Sequence, residues 1–177
     1  MGYMFQSCNN LTPLDLSSFN TSKVTEFYEM FQSRNSLVSL NLSNFNTSTT
    51  TRVDYMFYSC TSLLSLNLGS FILSEVCDMT GMFESCTSIK YLDLNSFNTS
   101  SATKMDRMFY QCESLKSLDL DIFDTSKVSL MDEMIYGCGS LKSLNLSNFN
   151  TKLIKDMSYM FRDCASLKYL NLAFFLL

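Results

Sequence analysis

The chain has no histidine and no tryptophan, one proline, five glycines and few charges, with 17% of its 177 residues being Asp, Glu, Lys or Arg. Each scarcity excludes something. Without histidine there is no imidazole general base and no Cys–His or Ser–His nucleophile pair. Five glycines, none in a G-x-G-x-x-G arrangement, leave no phosphate-cradling loop. Zinc has neither a C-x-x-C pair nor a histidine to bind it. Basic residues are in the minority, 13 against 17 acidic, so the stripe of positive charge that neutralises phosphates in nucleic-acid binders is missing. No apolar run approaches the roughly 18 residues that span a bilayer. The N-terminal residues Met1 to Phe5 lack the charged and apolar segments of a signal peptide. What is abundant is apolar: 46% of residues are hydrophobic, with 15 Phe, 12 Met and 9 Tyr. This excludes a disordered chain and supplies a sizeable core for a single domain over 1–177.

A 26-residue period organises the whole chain. Met4, Met30, Met56, Met82, Met108, Met134 and Met160 fall in one column, each followed by Phe except Met134, which precedes Ile135. Four residues on stand Cys8, Cys60, Cys86, Cys112, Cys138 and Cys164, with Arg34 the exception. Next comes L-x-x-L-x-L, as in Leu115, Leu118 and Leu120, and three residues later a Phe in all seven units, from Phe19 to Phe175. L-x-L places two leucines on one side of an extended chain, the signature of a short strand. Asn-Thr-Ser after the Phe favours a turn or helix cap. Apolar residues then recur at offsets of 0, 3, 6 and 7, as in Val24, Phe27, Met30 and Phe31, and this spacing predicts a helix of two to three turns. The expected fold is an α/β leucine-rich-repeat solenoid of about seven strand-turn-helix units, with neighbouring strands in one parallel sheet.

The unit L-x-x-L-x-L-x-x-F-N-T-S-x-V-x-x-M-x-x-M-F-x-x-C-x-S resembles the BspA-like leucine-rich repeats of bacterial surface proteins and some protists. The resemblance covers essentially the whole chain and departs from the pattern at Arg34, Ile135 and Ile72-Leu73. It implies a secreted or surface-displayed protein that mediates adhesion, and it carries over no catalytic residue.

Six cysteines in one column lie one rung apart, with side chains running parallel, so the expectation is a ladder of buried free thiols and not disulfides. Cys77 stands outside the column and is the candidate for an exposed thiol. No cofactor or metal is expected, and no catalysis. The carboxylates Asp93, Asp119 and Asp121 are close enough to suggest paired-acid chemistry. Asp93 and Asp119 share a column with Asp15, Asn41, Asn67, Asn145 and Asn171, however, where Asp simply alternates with Asn, and Asp121 stands in the small-polar column of Ser17, Ser43, Gly69, Asn95 and Ser147.

The candidate binding face is the outward side of the strands. It carries Asp93, Asp119, Asp121 and Asn145, a lysine column of Lys90, Lys116, Lys142 and Lys168, and the two tyrosines Tyr91 and Tyr169. A protein or glycan docking on this face and a pattern left by duplication alone are both open readings. Tyr58, Tyr110 and Tyr136 form a further column near the expected helix end, and Ile72-Leu73 puts apolar residues at a turn. The sequons at Asn20, Asn46 and Asn98 follow from the Asn-Thr-Ser turn.

The chain opens inside a unit and closes on Phe174, Phe175, Leu176 and Leu177. This predicts a piece of a longer array, or ends that associate with a partner or a second copy. The expected function is a non-enzymatic binding module at the cell surface or secreted, with a protein or glycan ligand. An intracellular scaffold built into a larger assembly is the alternative.

Overall fold

The structure is a computed structural model, and it describes residues 1–173 and 175. The 26-residue units stack as rungs, each lying against the next in parallel register. On the leucine side, β1 (Ser39–Asn41) pairs with β2 (Ser65–Asn67), and β3 (Ser143–Asn145) pairs with β4 (Tyr169–Asn171). Partners are 26 residues apart, for example Leu40 with Leu66 and Leu144 with Leu170.

Two expectations need correction. The parallel sheet is not continuous. The equivalent segments 13–15, 91–93 and 117–119 form no strand, so two two-stranded sheets replace the seven-stranded one. And the strand-turn-helix unit contains no helix among the described residues. Where the apolar spacing predicts one, the backbone makes a run of turns, and the local amide bonds reach back three residues, as in Met30 N to Phe27 O (3.2 Å) and Gln32 N to Glu29 O (3.2 Å). The alternate amides leave the rung altogether. Phe27, Glu29, Phe31 and Ser33 donate to the carbonyls of Arg52, Asp54, Met56 and Tyr58 in the following rung, at 2.7 to 3.0 Å. Isolated parallel bridges continue this ladder from Glu26 through Arg52, Asp78, Lys104 and Leu130 to Asp156.

A helix is denied by two backbone positions per rung. Residues 3, 29, 55, 81, 107, 133 and 159, and residues 7, 33, 59, 85, 111, 137 and 163, all have positive φ. Only Gly81 and Gly137 among these fourteen are glycines. A left-handed residue reverses the chain and turns its neighbours' amides toward the next rung, at a cost of about 1 kcal/mol where a side chain is present. The inter-rung bonds offset that cost. Runs of such turns bury residues 27, 30, 31, 34 and 37, the same offsets a helix would bury. The apolar pattern therefore could not tell the two apart.

The core follows the columns. Phe5, Phe31, Phe57, Phe83 and Phe109 stack in sequence with centroids 5.6 to 5.7 Å apart and rings within 9° of parallel, ending where Ile135 takes the position. Each such pair is worth about 0.5–1.5 kcal/mol beyond its buried area. Cys60, Cys86, Cys112 and Cys138 are fully buried free thiols, and each Sγ donates to a carbonyl 29 residues earlier at 3.1 to 3.2 Å. Burial pushes the Cys60 and Cys138 thiols up to about 12 and raises Cys86 and Cys112 well above the ordinary value. Cys77 is exposed.

The Asn-Thr-Ser turn has its own role. Thr21, Thr47, Thr99 and Thr125 are buried, and each hydroxyl donates to the carbonyl of the residue 25 positions on while accepting that residue's amide. One side chain thus closes two backbone groups of the next rung. At the departure Ile72-Leu73, Leu73 fills the core and Ile72 is exposed, so local packing accounts for half of that anomaly.

Arg34 is the other anomaly. Its side chain is fully buried in the thiol column, with Nη2 donating to the Leu11 carbonyl and with Nε and Nη1 unpartnered among the described residues. Burying a charge with two unmet donors is costly, and an apolar residue of similar length removes the cost. Arg34→Met is expected to raise stability by about 1–3 kcal/mol in urea or thermal unfolding. A lower midpoint would mean that the bond to Leu11 outweighs the unmet donors.

The left-handed positions give a paired test. Ser59→Gly removes a Cβ at a φ of 58° and should stabilise by about 1 kcal/mol. Gly81→Ala should destabilise by more, because a Cβ there would lie 2.4 Å from the Tyr55 ring. Equal effects of both changes on the unfolding midpoint would contradict this account of the ladder.

Candidate functional site

The strand face is built from the Asn/Asp column upward. Every member performs the same local task. The side-chain oxygens of Asp15, Asn41, Asn67, Asp93, Asp119, Asn145 and Asn171 each accept the amide two residues on, at 2.9 to 3.2 Å. Either an amide or a carboxylate oxygen closes this turn, which is why Asp and Asn alternate there. At Asp15 the Ser17 amide holds the carboxyl below its ordinary value. Asp121 sits one step further along, and its Oδ1 accepts from Asn145 Nδ2 at 3.1 Å.

The face opens where the unpaired fourth and fifth rungs meet β3 and β4. A groove of about 570 Å³ runs along the fourth to seventh rungs, lined by Leu92, Ser117, Asp119, Asp121, Asn145 and Tyr169 among others. Beside it lies a second, of about 580 Å³, lined by Tyr91, Lys116, Ser117, Ser140, Lys142 and Ser166. Tyr91 and Tyr169 project from the face, 62% and 75% exposed. The structure thus brings Asp119, Asp121, Asn145 and Tyr169 to one groove, and Tyr91, Lys116 and Lys142 to its neighbour. Asp93, Lys90 and Lys168 are exposed in the same columns but line neither groove. Of the four residues expected to make an end contact, Phe174, Leu176 and Leu177 lie outside the described residues, and Phe175 is half-buried against the core.

Sequence reasoning missed a second polar surface, on the turn side. Arg52 forms a bidentate pair with Asp54 at 2.8 and 2.9 Å, Lys104 pairs with Asp78 at 2.8 Å and Arg107 with Glu133 at 2.7 Å. Tyr110 and Tyr136 stack with centroids 4.7 Å apart, flanked by the guanidiniums of Arg107 and Arg162. The signal was present in the column Glu26, Arg52, Asp78, Lys104, whose charge alternates from rung to rung.

Within this network Glu84 is 6% exposed, lies in the column of Tyr58, Tyr110 and Tyr136, and its Oε2 has no hydrogen-bond partner among the described residues. Burial pushes its carboxyl from 4.5 up to about 7, against the pull of Arg107 and with Glu133 and Asp106 adding to the rise. At Asp78 burial also pushes upward, but Lys104 and Thr80 outweigh it and hold the carboxyl below its ordinary value.

Among the described residues no group of His, Cys, Asp and Glu is arranged to hold a metal ion, and no helix is long and apolar enough to cross a membrane.

The family profile described as "Mycoplasma protein of unknown function, DUF285" matches residues 1–92 and again 77–172. The chain belongs to this family. No curated protein matches the sequence significantly. Among solved structures, a leucine-rich repeat protein from Bacteroides ovatus is similar over 83% of this chain and 40% of that one, with 19% identity and a TM-score of 0.39. The match thus covers less than half the length of that protein. For this DUF285 chain the leucine-rich-repeat assignment rests on the repeat and its rung-on-rung pairing.

The Glu84 carboxyl yields a pH prediction. A carboxyl raised by folding favours the folded state while protonated, and that contribution is lost as pH climbs from 4.5 to about 7. Glu84→Gln should therefore stabilise the protein at pH 8, by on the order of 2 kcal/mol, and leave it little changed below pH 4.5. Thermal unfolding of both proteins across this range checks it; a constant difference between them would show that Glu84 does not titrate in the window.

Proposed function

We propose that this protein is a non-enzymatic recognition module of the BspA-like kind, displayed outside the cell and binding a protein or glycan through its strand face. The observation that carries the reading is the pair of adjoining grooves on the fourth to seventh rungs, with exposed Tyr91 and Tyr169 rising beside them. Ligand sites are concave, with a few convergent polar groups, and tyrosine contributes large contact area at low entropic cost. The Asp residues of the face support binding over catalysis. Asp93 and Asp119 each commit an oxygen to a turn amide, and Asp121 commits one to Asn145. The 26-residue unit with its M-F-x-x-C and L-x-x-L-x-L elements supports the BspA-like assignment, and adhesion at a surface follows from that resemblance.

The test is a screen of the purified protein against immobilised matrix proteins and glycans, repeated with Tyr91→Ser/Tyr169→Ser. The best ligand should bind tenfold or more weakly to the double variant, as expected for central aromatic contacts. Tyr159→Ser, which removes a tyrosine 59% exposed on the turn side, should change nothing. Binding that survives the double variant and fails with Tyr159→Ser would move the site to the turn face.

A further inference from the structure

Resting on the strand-face reading, we infer that the ligand is an acidic linear glycan, whose carboxylate or sulfate groups meet the lysine column while its neutral hydroxyls meet the Asp/Asn column. The strand face is not uniform along the stack. In the position preceding the strand, the first three rungs carry Thr12, Val38 and Leu64, and the last four carry Lys90, Lys116, Lys142 and Lys168. All four lysines are exposed, and no ion pair joins any of them among the described residues. Stacked at one rung each, about 4.8 Å apart, they form a positive lane roughly 14 Å long. Like charges held that close repel one another, and an anion laid along the lane relieves the repulsion.

The surroundings of the lane select the kind of anion. The groove that holds Lys116 and Lys142 is otherwise lined by the hydroxyls of Ser117, Ser140 and Ser166 and by the Tyr91 ring. Hydroxyls and an exposed aromatic face suit a sugar ring, which offers hydroxyls at its edge and C–H groups on its face. Across the strand, Asp93, Asp119 and Asp121 form a negative lane. A polyanion charged at every unit would be repelled there. A glycan with one acidic group per disaccharide presents its hydroxyls to those carboxylates, which accept them well. Spacing separates a glycan from an acidic peptide. An extended peptide lying along the stack puts same-side residues about 6.6 Å apart, out of step with rungs at about 4.8 Å, whereas the ring-to-ring advance of a linear oligosaccharide is close to one rung.

The experiment is isothermal titration of the full chain with three probes: a tetrasaccharide alternating glucuronic acid and N-acetylglucosamine, the neutral N-acetylglucosamine tetrasaccharide, and a hexaglutamate peptide. The acidic sugar should bind, weaken as salt is raised, and lose at least tenfold in affinity with Lys116→Ala/Lys142→Ala. Lys152→Ala/Lys155→Ala, exposed on other columns, should have no effect. All four substitutions are at exposed positions, and an unchanged unfolding midpoint shows that folding is preserved. Equal binding of the neutral sugar, tighter binding of hexaglutamate, or indifference to Lys116 and Lys142 overturns the inference. If one of those probes binds and is lost with Tyr91→Ser/Tyr169→Ser, the acidic-glycan inference falls while the strand-face site stands.

Discussion

The fold depends on the ladder of backbone bonds between rungs on the turn side. Four amides per rung, at positions such as Phe27, Glu29, Phe31 and Ser33, donate to the next rung from one end of the stack to the other. The leucine side has no comparable continuity, because strand pairing stops after β2 and resumes only at β3. This reverses the usual expectation for a leucine-rich repeat, in which the strands are the spine. Buried amides and carbonyls must be paired, and in this chain the turns are where most of them are. Left-handed residues make that pairing possible, and the phenylalanine stack and thiol column fill the space it encloses.

Much of this was legible in the sequence, and the part that was not has a physical cause. The period, the buried columns, the free thiols and the exposed Cys77 all follow from 26-residue spacing and residue type. The absence of a helix could not be read, because residues 27, 30, 31 and 34 are buried alike in a helix and in consecutive turns. Apolar periodicity reports which side chains point inward, not which carbonyl an amide finds. The left-handed positions are filled mainly by Ser, Tyr, Glu, Gln, Arg and Asp, with glycine at two, so the customary glycine signal was nearly silent. The threonine staple was hidden for a related reason. Asn-Thr-Ser reads as a surface turn, yet its central residue is buried and bonded to the next rung.

The candidate site was legible as a face and not as a shape. The Lys, Asp and Tyr columns could be drawn from the repeat alone. That Asp93 and Asp119 cap turns, and that Lys116 and Lys142 share a groove with three serines and Tyr91, required the backbone. The charged turn face around Glu84 escaped notice because its alternating signs fall outside the apolar columns from which the helix was read.

These two sides divide the work of the molecule. Stability resides in the turn ladder, the aromatic stack and the thiol column, where a change in one rung is felt by both its neighbours. The strand side of the fourth and fifth rungs is spared that duty, since its inward leucines Leu94, Leu118 and Leu120 stay buried without strand pairing. Residues that face outward there can vary at little cost to folding, as exposed positions generally do. The lysines replace Thr12, Val38 and Leu64 of the earlier rungs at just such a position. A repeat whose rungs are held together from one side leaves the other free to differ from rung to rung, and both grooves begin on the unpaired fourth and fifth rungs.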